Sequence, residues 1–201
     1  VRHIELDLKV MPESKMIQGT AKLQLLAVQS MDEILLDLDS RLKTTSVRLS
    51  VHGGVVIPSR FNHEQGELHI YSSLLLPPQT TVIVEVEYGG RPRVAEKAPW
   101  DGGFTWTTTE DDHPWITTTV QGEGGDLWFP CKDHPSDKTE SADIKITVPD
   151  PLLVAANGNL ISTVKQPDGW TTFHWQTQYP ISNYNIALSI GPYEVIESSY
   201  K

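Results

Sequence analysis

Strict alternation of apolar and polar residues opens the chain: Ile4, Leu6, Leu8 and Val10 interleave with His3, Glu5, Asp7 and Lys9. Successive side chains of a strand point to opposite faces, so this period of two predicts a strand buried on one side only. Pro12-Glu13-Ser14-Lys15 turns the chain, and Ile17, Gly19, Ala21, Leu23 and Leu25 repeat the pattern, predicting a long antiparallel hairpin. Further strands are predicted at Glu33–Leu38, Ser46–Val51, Leu68–Tyr71 and Thr81–Tyr88, separated by turn chemistry at Gly53-Gly54, Pro77-Pro78 and Gly89-Gly90.

Arg91 to Asp112 breaks the rhythm. Pro92, Pro99, Gly102 and Gly103 alternate there with Trp100, Phe104 and Trp106, which predicts a long aromatic-anchored loop with a short strand around Phe104 to Thr108. Alternation resumes at Ala142, Ile144, Ile146 and Val148 and at Leu153 to Ala155. Leu160–Lys165 and Thr171–Gln176 flank Pro167-Asp168-Gly169, a hairpin signal, because Pro presets φ and Gly accepts φ > 0. Tyr184 to Ile190 and Tyr193 to Ile196 supply the final predicted strands. The expected fold is all-β and antiparallel, a saddle-like or sandwich domain of roughly a dozen strands with little or no helix. At 201 residues the chain fits one undivided β domain, residues 1–201.

A net charge of −10 argues against nucleic acid and anionic membrane surfaces as partners, since both require clustered Lys and Arg. No apolar run approaches the ~18 residues that a membrane-spanning helix needs. Cys131 stands alone, so no intrachain disulfide forms, and its setting between Pro130 and Lys132 fits a buried small apolar residue. The seven histidines, His3, His52, His63, His69, His113, His134 and His174, contain no H-E-x-x-H pair, and no metal site is expected. Asp133, His134, Asp137 and Lys138 cluster around Pro135 as turn and cap residues rather than as a catalytic set. The chain opens on Val1 instead of Met and is expected to be a piece of something longer.

Gln121-Gly122-Glu123 is the candidate site. If Val120 to Glu123 is extended, the Gln121 amide and the Glu123 carboxylate share one face with no side chain between them. Such an open anionic edge suits a free peptide α-amine, a cation with several N–H donors. An exposed strand end running into a glycine turn accounts for the same residues without a function.

The stretch also carries a resemblance. Gln121-Gly122-Glu123, a short spacer and Phe129-Pro130-Cys131-Lys132-Asp133-His134-Pro135-Ser136-Asp137-Lys138 resemble a signature in the N-terminal domain of gluzincin aminopeptidases, the family of membrane alanyl aminopeptidase and puromycin-sensitive aminopeptidase. Gly103-Phe104-Thr105-Trp106 and Pro180-Ile181-Ser182-Asn183-Tyr184-Asn185-Ile186-Ala187 resemble the family in order and position, so the similarity covers nearly the whole chain. It implies a saddle-like N-terminal β domain, followed after residue 201 by a zinc-bearing catalytic domain in the same chain. It implies further that Glu123 helps to anchor the α-amine of peptide substrates, that Gln121 hydrogen-bonds their first residue, and that the piece alone is inactive. Two departures stand out: the spacer Gly124 to Trp128 is two residues shorter than in many relatives, and their usual Arg within it is missing.

Other functions compete with this one. A noncatalytic β-sandwich module would use Trp100, Phe104, Trp106 and Trp115 as an aromatic platform for sugars or cations. A scaffold relative that has lost peptidase activity would act through partner contacts. In a domain isolated from a missing neighbour, Trp128 and the aromatic loop are candidates for apolar surface that the neighbour would cover.

Overall fold

A computed structural model describes residues 1–51, 53–98 and 100–199; His52 and Pro99, used in the readings above, lie outside them. In chain order the strands are β1 (His3–Met11), β2 (Met16–Leu26), β3 (Met31–Asp37), β4 (Leu42–Val51), β5 (Val55–Ile57), β6 (Ser59–Glu64), β7 (Glu67–Leu76) and β8 (Thr81–Gly90). They continue with β9 (Gly103–Thr108), β10 (Pro114–Thr119), β11 (Ser141–Pro149), β12 (Leu153–Ala156), β13 (Asn159–Gln166), β14 (Trp170–Thr177) and β15 (Leu188–Gly191). Two single 3₁₀ turns, Gly125–Leu127 and Asn183–Asn185, are the only helical elements among the described residues. The domain is all-β, as the alternation predicts.

Three sheets form. The largest has the order β13-β14-β11-β1-β2-β8-β4-β5, a second runs β12-β15-β10-β9, and a third β3-β7-β6. The opening hairpin pairs Met11 with Met16 through to His3 with Gln24, and Asp168 and Gly169, both at positive φ, close the β13–β14 hairpin. One pairing departs from the antiparallel expectation: β1 and β11 run parallel, His3 opposite Ser141. Both strands bury the same alternate set, Ile4, Leu6 and Leu8 beside Ala142, Ile144 and Ile146, so either direction of pairing preserves the core face. One contiguous apolar cluster draws on all three sheets, from Leu6 and Val84 through Leu36 and Ile70 to Ile116 and Ile190.

Two segments differ from their predicted form. Tyr193 to Ile196 is irregular, with Val195 and Ile196 exposed, because no neighbouring strand pairs with it. Tyr184 to Ile190 is a 3₁₀ turn leading into β15, bent where the Asn183 side chain accepts the Tyr184 N–H and donates to the Lys132 carbonyl. The aromatic residues do not form a platform. Phe104 is fully buried against Trp106 and Trp128, Trp115 meets Tyr193 edge-on, and only Trp100 stands in solvent. Trp128 is not surface awaiting a cover; it is completely buried, its ring crossing Phe104 and Phe129 edge to face.

Candidate functional site

β10 ends at Thr119, opposite Gly103 at the start of β9, and the chain beyond has no strand to pair with. Val120 is buried, and its carbonyl accepts the N–H groups of both Glu123 (3.2 Å) and Gly124 (2.9 Å). Gly122, at φ +87°, occupies the corner that demands positive φ. Gln121-Gly122-Glu123 is therefore the tip of a tight turn, and the extended geometry inferred from spacing does not apply. Three glycines in four residues from Gly122 to Gly125 favour the turn over a continued strand. Gln121 and Glu123 are both exposed, but they flank Gly122 in a turn and do not share one face of a strand.

Glu123 is more constrained than its exposure suggests. Its stem lies across Gly102, where a Cβ would come within 2.5 Å of Glu123 Cβ and Cγ, so only glycine leaves room. Arg93 Nη1 donates to Glu123 Oε2 at 2.7 Å, with each side chain about one third exposed (32% and 35%). Among the described residues no hydrogen bond reaches Oε1 or the Gln121 amide. Spacing along the sequence gave no sign of Arg93, which lies 30 residues away.

The rest of the signature faces inward and clips elements together. Cys131 and Asp37 exchange backbone hydrogen bonds, which ties the signature loop to β3, and the Asp133 N–H donates to Asp37 Oδ2. Asn183 donates to Asp133 Oδ1 at 2.8 Å, and the Tyr88 hydroxyl donates to the Trp128 carbonyl. Cys131 is buried, and burial together with the Asp133 and Asp126 charges pushes its thiol well up, as expected of an inert packing residue. His134 and Ser136 bond to one another within the turn around Pro135. Among the described residues no three His, Cys, Asp or Glu side chains converge so as to hold a metal ion.

Directly after Glu123, the Asp126 and Asp133 carboxylates converge on the space above Gly124, where a side chain would strike both. Asp126 Oδ1 is buried without a hydrogen-bond partner. Burial, reinforced by the charges of Asp133, Asp37 and Asp39, raises the Asp126 carboxyl to about 6. Because the native value exceeds the unfolded one, the folded state binds more protons between the two, and stability falls as pH rises from about 4 through about 6. With a discount for partial solvent exposure, Asp126→Asn is expected to stabilise the domain by about 1–2 kcal/mol at pH 8 and to leave it unchanged at pH 4. Urea unfolding at the two pH values checks this; an equal effect at both would remove Asp126 as the cause.

An all-β domain with an outward-facing Gln-Gly-Glu turn seated over Gly102 and an inward-facing Phe-Pro-Cys loop is the class that this architecture defines. Residues 1–185 match the family model described as the peptidase M1 N-terminal domain, and the chain belongs to that family. The M1 zinc metallopeptidase of Deinococcus radiodurans, in a mutant bound to a Tyr-Ser-Ala substrate, has a similar fold, with a TM-score of 0.79 at 22% identity over 95% of this chain and 42% of that one. A two-domain M1 zinc metallopeptidase bound to L-tryptophan superposes with a TM-score of 0.80 at the same identity and the same coverage. A shorter segment is similar to transcription initiation factor TFIID subunit 2 of Gallus gallus, 35% identical over 75 residues, which is 37% of this chain and 6% of that protein. The chain thus spans about two fifths of the length of these solved relatives and a small part of the length of the curated relatives it matches.

Proposed function

We propose that this chain is the substrate-capping N-terminal domain of a zinc aminopeptidase, which contributes recognition of the peptide α-amine and depends on a catalytic domain in the same chain. The observation that carries the reading is the Glu123 carboxylate, presented outward on a seated turn with Oε1 open to a donor. An α-ammonium brings several N–H donors and a full charge; Oε1 accepts one of them, and the Gln121 carbonyl oxygen accepts a second group of the first residue. An internal peptide segment offers no cation there, so in a cleft closed to water Oε1 would be left without a donor while Arg93 holds only Oε2, and selection for a free amino terminus follows. Zinc, in the catalytic domain, supplies polarisation of the scissile carbonyl and activation of water. The residues of this chain bind and orient the substrate.

The similarity to TFIID subunit 2 favours a second reading, a scaffold of the same fold without peptidase activity. Assay of aminoacyl-anilide hydrolysis separates the two. The complete protein is expected to hydrolyse these substrates and to lose activity to a chelator, whereas the 201-residue chain is expected to show none even with added zinc. Hydrolysis by the isolated chain would overturn the capping role, and an inert complete protein would select the scaffold.

A further inference from the structure

We propose that Arg93 is the positioning residue of the amine site, holding Glu123 Oε2 so that Oε1 alone is offered to the α-ammonium; this rests on the reading of Glu123 given above. Both partners of the pair are fixed independently of it. The Arg93 carbonyl accepts the Phe104 N–H at 2.7 Å, the Ala95 N–H donates to the Phe104 carbonyl at 3.0 Å, and Val94 bridges to Phe104, so the Arg93 backbone runs as an added rung beside β9. Glu123 is held by its turn hydrogen bond to Val120 and by the path of its stem over Gly102. The 2.7 Å contact therefore joins two elements whose backbones are each held by their own hydrogen bonds, and fixes the last torsions of the carboxylate.

The magnitudes favour a role in binding over one in folding. A partly exposed ion pair adds little to stability, typically about 0–1 kcal/mol. A carboxylate left free to rotate, in contrast, must be ordered by each incoming amine, and that cost appears in affinity. The guanidinium also repels a second cation, a cost that the ordering of the carboxylate must exceed for Arg93 to favour binding. Because it occupies Oε2 on the side of β9, the amine is confined to the opposite oxygen, a constraint on approach that a lone carboxylate does not impose.

The test is calorimetric titration of the complete protein with an amino-acid amide, for the native chain, Arg93→Ala, Arg93→Lys, Glu123→Gln and the Arg93→Ala/Glu123→Gln pair. Arg93→Ala is expected to weaken binding about five- to tenfold with an unchanged unfolding midpoint, and Arg93→Lys to recover most of the loss through a single N–H to Oε2. In the Glu123→Gln background the Arg93 change is expected to add less than about twofold, since its effect passes through the carboxylate. Unchanged or tighter binding in Arg93→Ala, with Glu123→Gln impaired, overturns the role of Arg93 alone, as does full additivity of the two changes. Native binding that Glu123→Gln leaves intact overturns the amine site itself.

Discussion

Trp128→Ala is expected to destabilise the domain by about 3–5 kcal/mol, the range for truncating a fully buried large aromatic residue. Trp128 is the largest completely buried side chain, and its ring abuts Phe104 and Phe129 near the junction of the signature loop with β9. A marginal domain holds only about 5–15 kcal/mol in total, so this one change removes a large share. Trp128→Phe should cost much less. It leaves a smaller void and removes an indole N–H that is buried without a partner. Urea unfolding followed by circular dichroism checks both variants; a loss below about 1 kcal/mol for the alanine variant would show that the core collapses around the gap.

Glu123→Gln is expected to lower kcat/KM of the complete protein for free-amine substrates by about 2–3 kcal/mol of transition-state binding, or about 30- to 150-fold. The change keeps the size of the side chain and its ability to accept a hydrogen bond through one oxygen. On the proposed reading it removes the charge that would compensate the α-ammonium once water is excluded. The loss should fall mainly on KM, because the amine is cationic in both ground and transition states. Steady-state kinetics with aminoacyl-anilides reads it directly, and unchanged kinetics would remove Glu123 from the site.

Strands whose burial alternates cleanly were legible from sequence. β1, β8 and β11 each bury every second residue, so pattern and structure coincide. β6 was not, because Ser59–Glu64 buries no side chain and its polar run carries no period. β10 begins at a proline directly after the irregular Arg91–Asp112 stretch and likewise escaped. The converse holds at Tyr193 to Ile196, where alternation is present but no partner strand lies among the described residues; a strand needs a neighbour as well as a pattern. The parallel β1–β11 pairing joins residues 138 apart along the chain, beyond anything that local spacing encodes.

The candidate site divides in the same way. Gln121 and Glu123 stood out through residue type and the surrounding signature, and both lie at the surface. Their backbone is not legible from spacing, because a glycine at φ +87° turns the chain where alternation predicts extension. Arg93 was invisible, since it reaches Glu123 only when β9 brings the Arg91–Asp112 segment beside the turn. Asp126, whose carboxyl is perturbed by a cluster drawn from three segments, was equally hidden.

The most direct measurement is the affinity of the complete protein for an amino-acid amide against its N-acetyl counterpart, by titration calorimetry, in the native chain and in Glu123→Gln. If the turn recognises an α-ammonium, the native protein prefers the free amine by more than about tenfold and the preference collapses in the variant. An equal preference in both proteins, or none in either, would contradict it.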